Sequence, residues 1–384
     1  MEKNNIKVGV SGQNPTNPQL GAFEIAEGMT AEQMMPVFFN KDALREPPIR
    51  LYQLNSKGLR YYYFFDEEGK AQFMPSVTTV LHHTMPENVF LTDWKISLGK
   101  DKAAAYTAER ANYGTFMHGC FERLLINRSY NLDELKSELA KYIEREQLPT
   151  SFIDYADSLK RDVLSFAAFI TEYDVKPYAV EIALFSKQFG YAGMIDLVAS
   201  IRKYPRSEER KAREKVAAEA AKAKDDDKKL EKLGEKLAEI NRKAEEREVA
   251  IIDFKSGRKG FYEEHEIQLG MYRQMWNEWF PAIKVESLYN FSPKDWRKAP
   301  SFNFKSQTDS PNIAKIPALL ELFALDGESE KEVTIVGGTI DLDSPVSTEE
   351  CVKVVPLSEL VKMKGEAGAE KPLEQQIVEA EEGK

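Results

Sequence analysis

In the stretch VAIIDFKSG, Val249 to Gly257, a carboxylate and an ammonium stand two residues apart at the end of an apolar run. Residues two apart on a strand face the same side, so Asp253 and Lys255 share one surface and Phe254 takes the other. The run Val249-Ala250-Ile251-Ile252 suits a buried central strand. Upstream, Asp196 stands in YAGMIDLV between Ile195 and Leu197. A buried unpaired carboxylate is costly. Asp196 therefore needs a cation, and a metal ion shared with Asp253 supplies one. Glu181, in AVEIALFS, is a second acid in an apolar strand, one hairpin turn away. His118 and Glu122 in GTFMHGCFE are four apart on one helix face, as are Gln268 and Tyr272 in EIQLGMYRQMW. Gly114, just before that histidine, allows a close backbone approach. Read singly, each residue has a plainer role: Asp196 paired with an arginine, His118 a half-buried helix histidine, Tyr272 part of the core.

These residues need strands and helices to carry them. YAVEIALFS and YAGMIDLVASI bracket a KQFG turn, a hairpin pattern, and EVAIIDFKS forms a third strand. Helices are expected from Trp94 to about Glu146, with Asn131 as one cap, and over TSFIDYADSLKRDVLSFAAFITEY. EEHEIQLGMYRQMWNEWF and SPNIAKIPALLELFAL read as helices, and KVESLYNFSPK reads as a strand between them. Before the histidine helix, residues 49–81 read as three strands separated by the NSKG and DEEG turns. MTAEQMMPVFFN predicts a short helix capped by Thr30. Residues 203–249 are dominated by Lys, Arg, Glu, Asp and Ala. Ser207 can cap a first helix, and Asp225 to Asp227 break it. Leu230, Leu233, Leu237 and Ile240 then mark a short 3-4-3 seam. This predicts a charged helical hairpin inserted into a β-connection. It is a solvated arm or, in the minority reading, a dock for a protein partner.

In chain order the pieces are G-T-x-x-H, E, G-x-x-D, D-x-K and Q-x-x-x-Y, preceded by PSVT at Pro75 to Thr78. Together they resemble the RecB-like exonuclease branch of the PD-(D/E)XK nuclease superfamily, over roughly Met74 to Pro293. The resemblance implies an α/β fold with a restriction-endonuclease-like core, a central mixed sheet flanked by helices. It divides the chain into a β-rich region over 1–73, a nuclease domain over 74–362 carrying the 203–249 insertion, and a flexible acidic tail over 363–384. It further implies that Asp196 and Asp253 ligate Mg²⁺ or Mn²⁺ with the Phe254 carbonyl, and that His118 is a further ligand or supports the metal shell. Such a donor set suits hard or borderline divalent ions. Glu181 joins Asp196, Asp253 and Lys255 as catalytic residues, with Lys255 acting on the attacking water. Gln268 and Tyr272 brace the site and touch the DNA backbone. Ser76, Thr78, Thr79, Arg258 and Lys259 are candidate phosphate contacts. Some members of this branch hold an iron–sulfur cluster on four cysteines; this chain has only Cys120 and Cys351. No such cluster is expected.

The formal net charge of -10 argues against a uniformly basic nucleic-acid coat but leaves room for a locally basic groove. No apolar run approaches the roughly 20 residues that span a bilayer. The first residues read as neither a signal peptide nor a transit segment, so the expected place is the cytoplasm of a bacterium or phage-infected host. The resulting expectation is a metal-dependent DNA exonuclease acting on single strands or free ends in replication, recombination or repair. The alternatives are a structure-specific endonuclease, or a non-catalytic nucleic-acid-binding or assembly subunit. KDWRK at Lys294 to Lys298 mixes cations with Trp296, as single-strand-binding surfaces do, or is an ordinary surface loop.

Overall fold

The computed structural model describes residues 32–45, 47, 49–56, 59–65, 71–87, 89–223, 226–257, 260–328, 332–336 and 352–356. Two short strands come first, β1 (Glu32–Gln33) and β2 (Phe38–Phe39), then β3 (Tyr52–Ser56), β4 (Leu59–Phe65) and β5 (Ala71–Pro75). Helices α1 (Val77–Thr84), α2 (Val89–Leu98), α3 (Lys100–Asn127), α4 (Leu135–Arg145) and α5 (Ala156–Tyr173) follow. The hairpin of β6 (Lys176–Phe185) and β7 (Ala192–Arg202) leads into α6 (Arg206–Lys222) and α7 (Asp227–Glu245). Next come β8 (Arg247–Phe254), α8 (Glu263–Trp279), β9 (Ser287–Pro293), β10 (Phe302–Ser306) and α9 (Ile316–Glu328). The last described elements, β11 (Glu332–Val336) and β12 (Val352–Pro356), pair with each other.

The chain is an α/β fold built on a mixed six-stranded sheet, order β10-β9-β8-β7-β6-β2. All neighbours run antiparallel except β8 and β9, which are parallel and joined by α8. That parallel pair sets Phe254, the last residue of β8, beside Phe291 near the end of β9. Two cores cover the two faces. One packs α3, α4 and α5 through Phe121, Leu139, Phe166 and Phe169 against Leu197, Ile252 and Phe291. The other packs α1, α8 and α9 through Val80, Met275, Trp276 and Leu320 against Ile195, Ile251 and Leu288. Burying one such aliphatic or phenyl side chain is worth about 1.5–3 kcal/mol, so each face is heavily anchored. A separate sheet, order β1-β3-β4-β5, packs Tyr62, Phe64 and Met74 on Phe185 and Ala192. Among the described residues, no helix is long and apolar enough to cross a membrane.

Three local expectations need correction. Over the described residues 32–40 the expected helix is absent: β1 and β2 stand there, with Phe38 and Phe39 paired to Val180 and Ala179 on the edge of the central sheet. Pro36 opposes a helix through this run, and Phe38 packs onto the core. Thr30 lies outside the described residues. The charged insertion is indeed a helical hairpin, but its first helix starts at Arg206 after Pro205, and the Ser207 amide donates to Glu172 Oε1 at 2.9 Å. Asn131 does not cap α4, whose N-cap is Glu134; instead its Oδ1 accepts from the Asp133 amide at 3.1 Å in a turn. Strand β10 was not anticipated. The strands flanking the hairpin pair normally, since Arg202 faces Arg247 and the Lys203 amide donates to the Glu246 carbonyl at 3.0 Å. The tail over 363–384 lies outside the described residues.

Candidate functional site

Besides a register shift between Pro177 and Ala179, the hairpin β6–β7 departs from simple alternation at one level. Val180 feeds the α3–α5 core but Ile182 feeds the opposite core, and Leu197 and Ile195 on the facing strand do the same. Glu181 and Asp196 occupy that level, between the pairs Val180–Leu197 and Ile182–Ile195. The reversal shows in the backbone: Glu181 has φ of 52°, the left-handed region that a glutamate rarely enters. The two acids converge there on His118 of α3. His118 Nδ1 lies 3.9 Å from Glu181 Oε1 and 4.0 Å from Asp196 Oδ1. One ligand atom from each of the three lies within 4.8 Å of the others. The Glu181 and Asp196 side chains are only 11% and 13% exposed.

Helix α3 is held in place by aromatic packing. Phe121 stacks on Phe166 with centroids 4.1 Å apart, and Phe254 meets both rings edge-on. The His118 ring sits over Phe254 at 5.5 Å and its Nε2 is 3.2 Å from the Phe254 carbonyl oxygen. With Nε2 donating there, Nδ1 is the nitrogen turned to the acids. Gly114 is not required by a close approach: a Cβ there would meet Ser256 Oγ at an ordinary 3.5 Å. The glycine that is required is Gly193, where a Cβ would sit 2.7 Å from Tyr272 Cε1.

Across β7, Asp196 Oδ2 accepts from the Phe254 amide at 2.6 Å, so the first acid level is tied to the strand carrying Asp253. Asp253 is buried; its Oδ2 accepts from Asn290 Nδ2 at 2.8 Å and lies 2.9 Å from Lys255 Nζ, which donates to Oδ1 at 3.1 Å. Lys255 Nζ also donates to Gln268 Oε1 at 3.0 Å, and Gln268 Nε2 donates to Tyr272 Oη at 2.7 Å. Gln307 Nε2 extends the chain by donating to Asn290 Oδ1 at 3.1 Å. Asp253 and the Phe254 carbonyl, implied as ligands by the resemblance, thus take protein partners here. His118, Asp196 and Glu181 form the three-ligand group.

Electrostatics follow the burial. Burial raises Glu181, Asp196 and Asp253 above the ordinary carboxylate range, opposed by His118 for the first two and by Lys255 for the third. Burial alone would lower His118, but Asp196 and Glu181, helped by Asp253, outweigh it and hold the imidazole at about 9. The cluster therefore carries a proton at neutral pH. Glu181 Oε1 is buried with no hydrogen-bond partner. An orphaned oxygen beside an imidazole nitrogen and a second carboxylate fits a hard or borderline divalent cation. The Phe254 carbonyl meets the same histidine at Nε2, and Asp253 acts on it through its charge.

The other expected site residues separate into groups. Gln268 and Tyr272 lie against Lys255, as described. Ser76 caps α1, its Oγ accepting from the Thr79 amide at 2.9 Å, and Thr79 Oγ1 donates to the Arg60 carbonyl at 2.7 Å. Both are buried and spent on the cap; Thr78 is the exposed hydroxyl. Arg258 and Lys259 lie outside the described residues. Trp296 Nε1 donates to Ser165 Oγ at 3.0 Å, pinning the loop to α5. His265 caps α8, its Nδ1 accepting from the Tyr262 amide at 3.2 Å; burial, then Lys255, lower it to about 4. Asn290 and Gln307 were missed. The signal for Asn290 was the one used for Asp196, a polar side chain within an apolar strand.

No family model matches the chain, and no curated protein is significantly similar to it.

Proposed function

We propose that the chain is a divalent-metal-dependent nuclease of the PD-(D/E)XK type that hydrolyses phosphodiester bonds in DNA. The observation that supports this reading best is the buried His118–Glu181–Asp196 group with its orphaned carboxylate oxygen, one strand from the Asp253–Lys255 pair. His118 Nδ1, Glu181 and Asp196 would hold Mg²⁺ or Mn²⁺, with Asp253 and the Phe254 carbonyl alongside. When bound, the ion polarises the scissile phosphate and lowers the pKa of its water.

The protein groups then have separate tasks. Glu181 and Asp196 supply negative charge in a water-poor setting, where it is strongest. Lys255, whose ammonium contacts Asp253, would steady the charge that develops on the phosphate. Gln268 and Tyr272 hold that ammonium from the α8 side. Water adds to phosphorus, the P–O ester bond breaks, and the departing oxygen takes a proton to leave a phosphate and a hydroxyl. Exonuclease action on single strands or free ends comes from the resemblance.

The deciding experiment is digestion of end-labelled single- and double-stranded DNA with Mg²⁺, Mn²⁺ or EDTA. Metal-dependent loss of label from an end supports the reading, and Asp196→Asn should abolish it. Binding without cleavage in all metals would favour the assembly-subunit alternative.

A further inference from the structure

Asn290 and Gln307 have no role in the scheme above, yet they are 0% and 3% exposed. Strands β8 and β9 are parallel with Asp253 facing Asn290, so the two side chains rise together on the α8 face of the sheet. Gln307, just past β10, is fixed through its backbone amide, which donates to the Leu288 carbonyl at 2.8 Å. Its side-chain Nε2 donates to Asn290 Oδ1 at 3.1 Å, and Asn290 Nδ2 donates to Asp253 Oδ2 at 2.8 Å.

An amide has one accepting end and one donating end. With Gln307 occupying its oxygen, Asn290 can turn only its NH₂ towards Asp253. Oδ2 of Asp253 thereby accepts from Asn290 and lies 2.9 Å from the Lys255 ammonium, whereas, among the described residues, the hydrogen bond to Oδ1 comes from Lys255 alone, at 3.1 Å. Lys255 is the partner that charge redistribution can release; Asn290 is neutral, buried and locked from behind. Two amides placed in a sheet core carry a desolvation cost unless satisfied. An apolar pair would pack there without it.

We infer that Asn290, oriented by Gln307, is a positioning residue that pins Asp253 by Oδ2 and presents Oδ1 as its single oxygen for a divalent cation. The inference rests on the metal-dependent reading above, and it adds what aims the carboxylate. Outer partners of a metal ligand typically govern 10–100-fold in affinity.

The test titrates the full chain with Mn²⁺, reading free ion by electron paramagnetic resonance, and measures cleavage of a single-stranded oligonucleotide. Asn290→Leu removes the donor. Gln307→Met leaves every direct contact of Asp253 in place and removes only the lock, so it remains informative where Asn290→Leu does not fold. Expected are a roughly 10–100-fold loss of Mn²⁺ affinity in Asn290→Leu and a smaller loss in Gln307→Met. In both, kcat falls while KM for the oligonucleotide stays within about two-fold, a split that general loosening of the fold would not produce. Wild-type Mn²⁺ affinity and kcat in folded Gln307→Met would overturn the positioning role. Failure of the unaltered chain to bind Mn²⁺ at all would instead sink the metal reading, and the inference with it.

Discussion

Glu181 stands opposite Asp196 across the β6–β7 pair, at the level where both strands switch the core they feed. Two acids placed face to face in a sheet repel each other, and one of them sits in a backbone region that costs about 1–3 kcal/mol. A fold keeps such a feature when something outside the sheet requires it.

Glu181→Gln should therefore separate stability from function. Removing a buried charge whose Oε1 lacks a partner should leave the melting temperature unchanged or raise it by a few degrees. Mn²⁺ affinity should fall at least about 10-fold. A variant that loses stability but binds Mn²⁺ normally would show that the acid serves packing alone.

Metal binding should be a proton exchange. His118 is held at about 9 by Asp196 and Glu181 against the opposing effect of burial, so at pH 7 a cation must displace its proton. Affinity for Mn²⁺ should rise as pH increases towards about 9 and flatten above it. Calorimetry in buffers of different ionisation enthalpy should show proton release at pH 7. A pH-independent affinity between 6.5 and 8.5 contradicts the arrangement.

Acid should destabilise the fold partly through His265. Its folded value of about 4 lies below the ordinary histidine range near 6.5, so the unfolded chain takes up the proton first. The stability from its neutral burial is full above about 6.5 and is lost as pH falls through the window to about 4. His265→Asn, which retains an acceptor for the Tyr262 amide, should flatten the melting temperature profile over that window.

The charged hairpin should be dispensable for the site. Arg202 faces Arg247 where the strands leave for α6 and α7, six residues from Asp196 and from Asp253 respectively. Replacing 206–245 by a short turn should leave Mn²⁺ affinity within about two-fold. Lost contacts such as Arg206–Asp174, an exposed pair, are worth about 1 kcal/mol or less. Collapse of Mn²⁺ binding in a folded deletion would give the arm a direct part in the site.

Gly193→Ala tests the α8 side. The added methyl meets Tyr272 Cε1 at 2.7 Å, Val77 Cγ2 at 3.2 Å and Met275 Cε at 3.3 Å. Overpacking of this kind costs about 1–3 kcal/mol. It should also move Tyr272, and with it the Gln268–Lys255 bond, so any cleavage activity should fall further than the melting temperature implies. Equal, modest losses in both would confine the glycine to packing.

The strands and helices around the site were legible because their apolar spacing carries the signal: Ile251 and Ile252 feed opposite cores, as a strand buried on both faces requires. Phe38 and Phe39 were misread because their strand exists only through pairing with Val180 and Ala179, a partner 140 residues away that local pattern does not contain. Asp196 stood out as an acid within apolar neighbours. Its grouping with Glu181 rather than Asp253 depends on a left-handed residue, which spacing by twos cannot express. Gln307 lies just beyond an unanticipated strand, and nothing local marks it as a partner of Asn290.

The parallel pair β8–β9 also governs when this cluster can assemble. The cluster draws on His118, Glu181, Asp196, Asp253 and, through Asn290, on Gln307. A parallel pair forms only after its crossover helix, and such non-local pairings close slowly. A chain growing from a ribosome holds an unsupported Asp253 until residue 307 has emerged and β10 has docked. The cluster is thus completed by one of the last strands of the sheet.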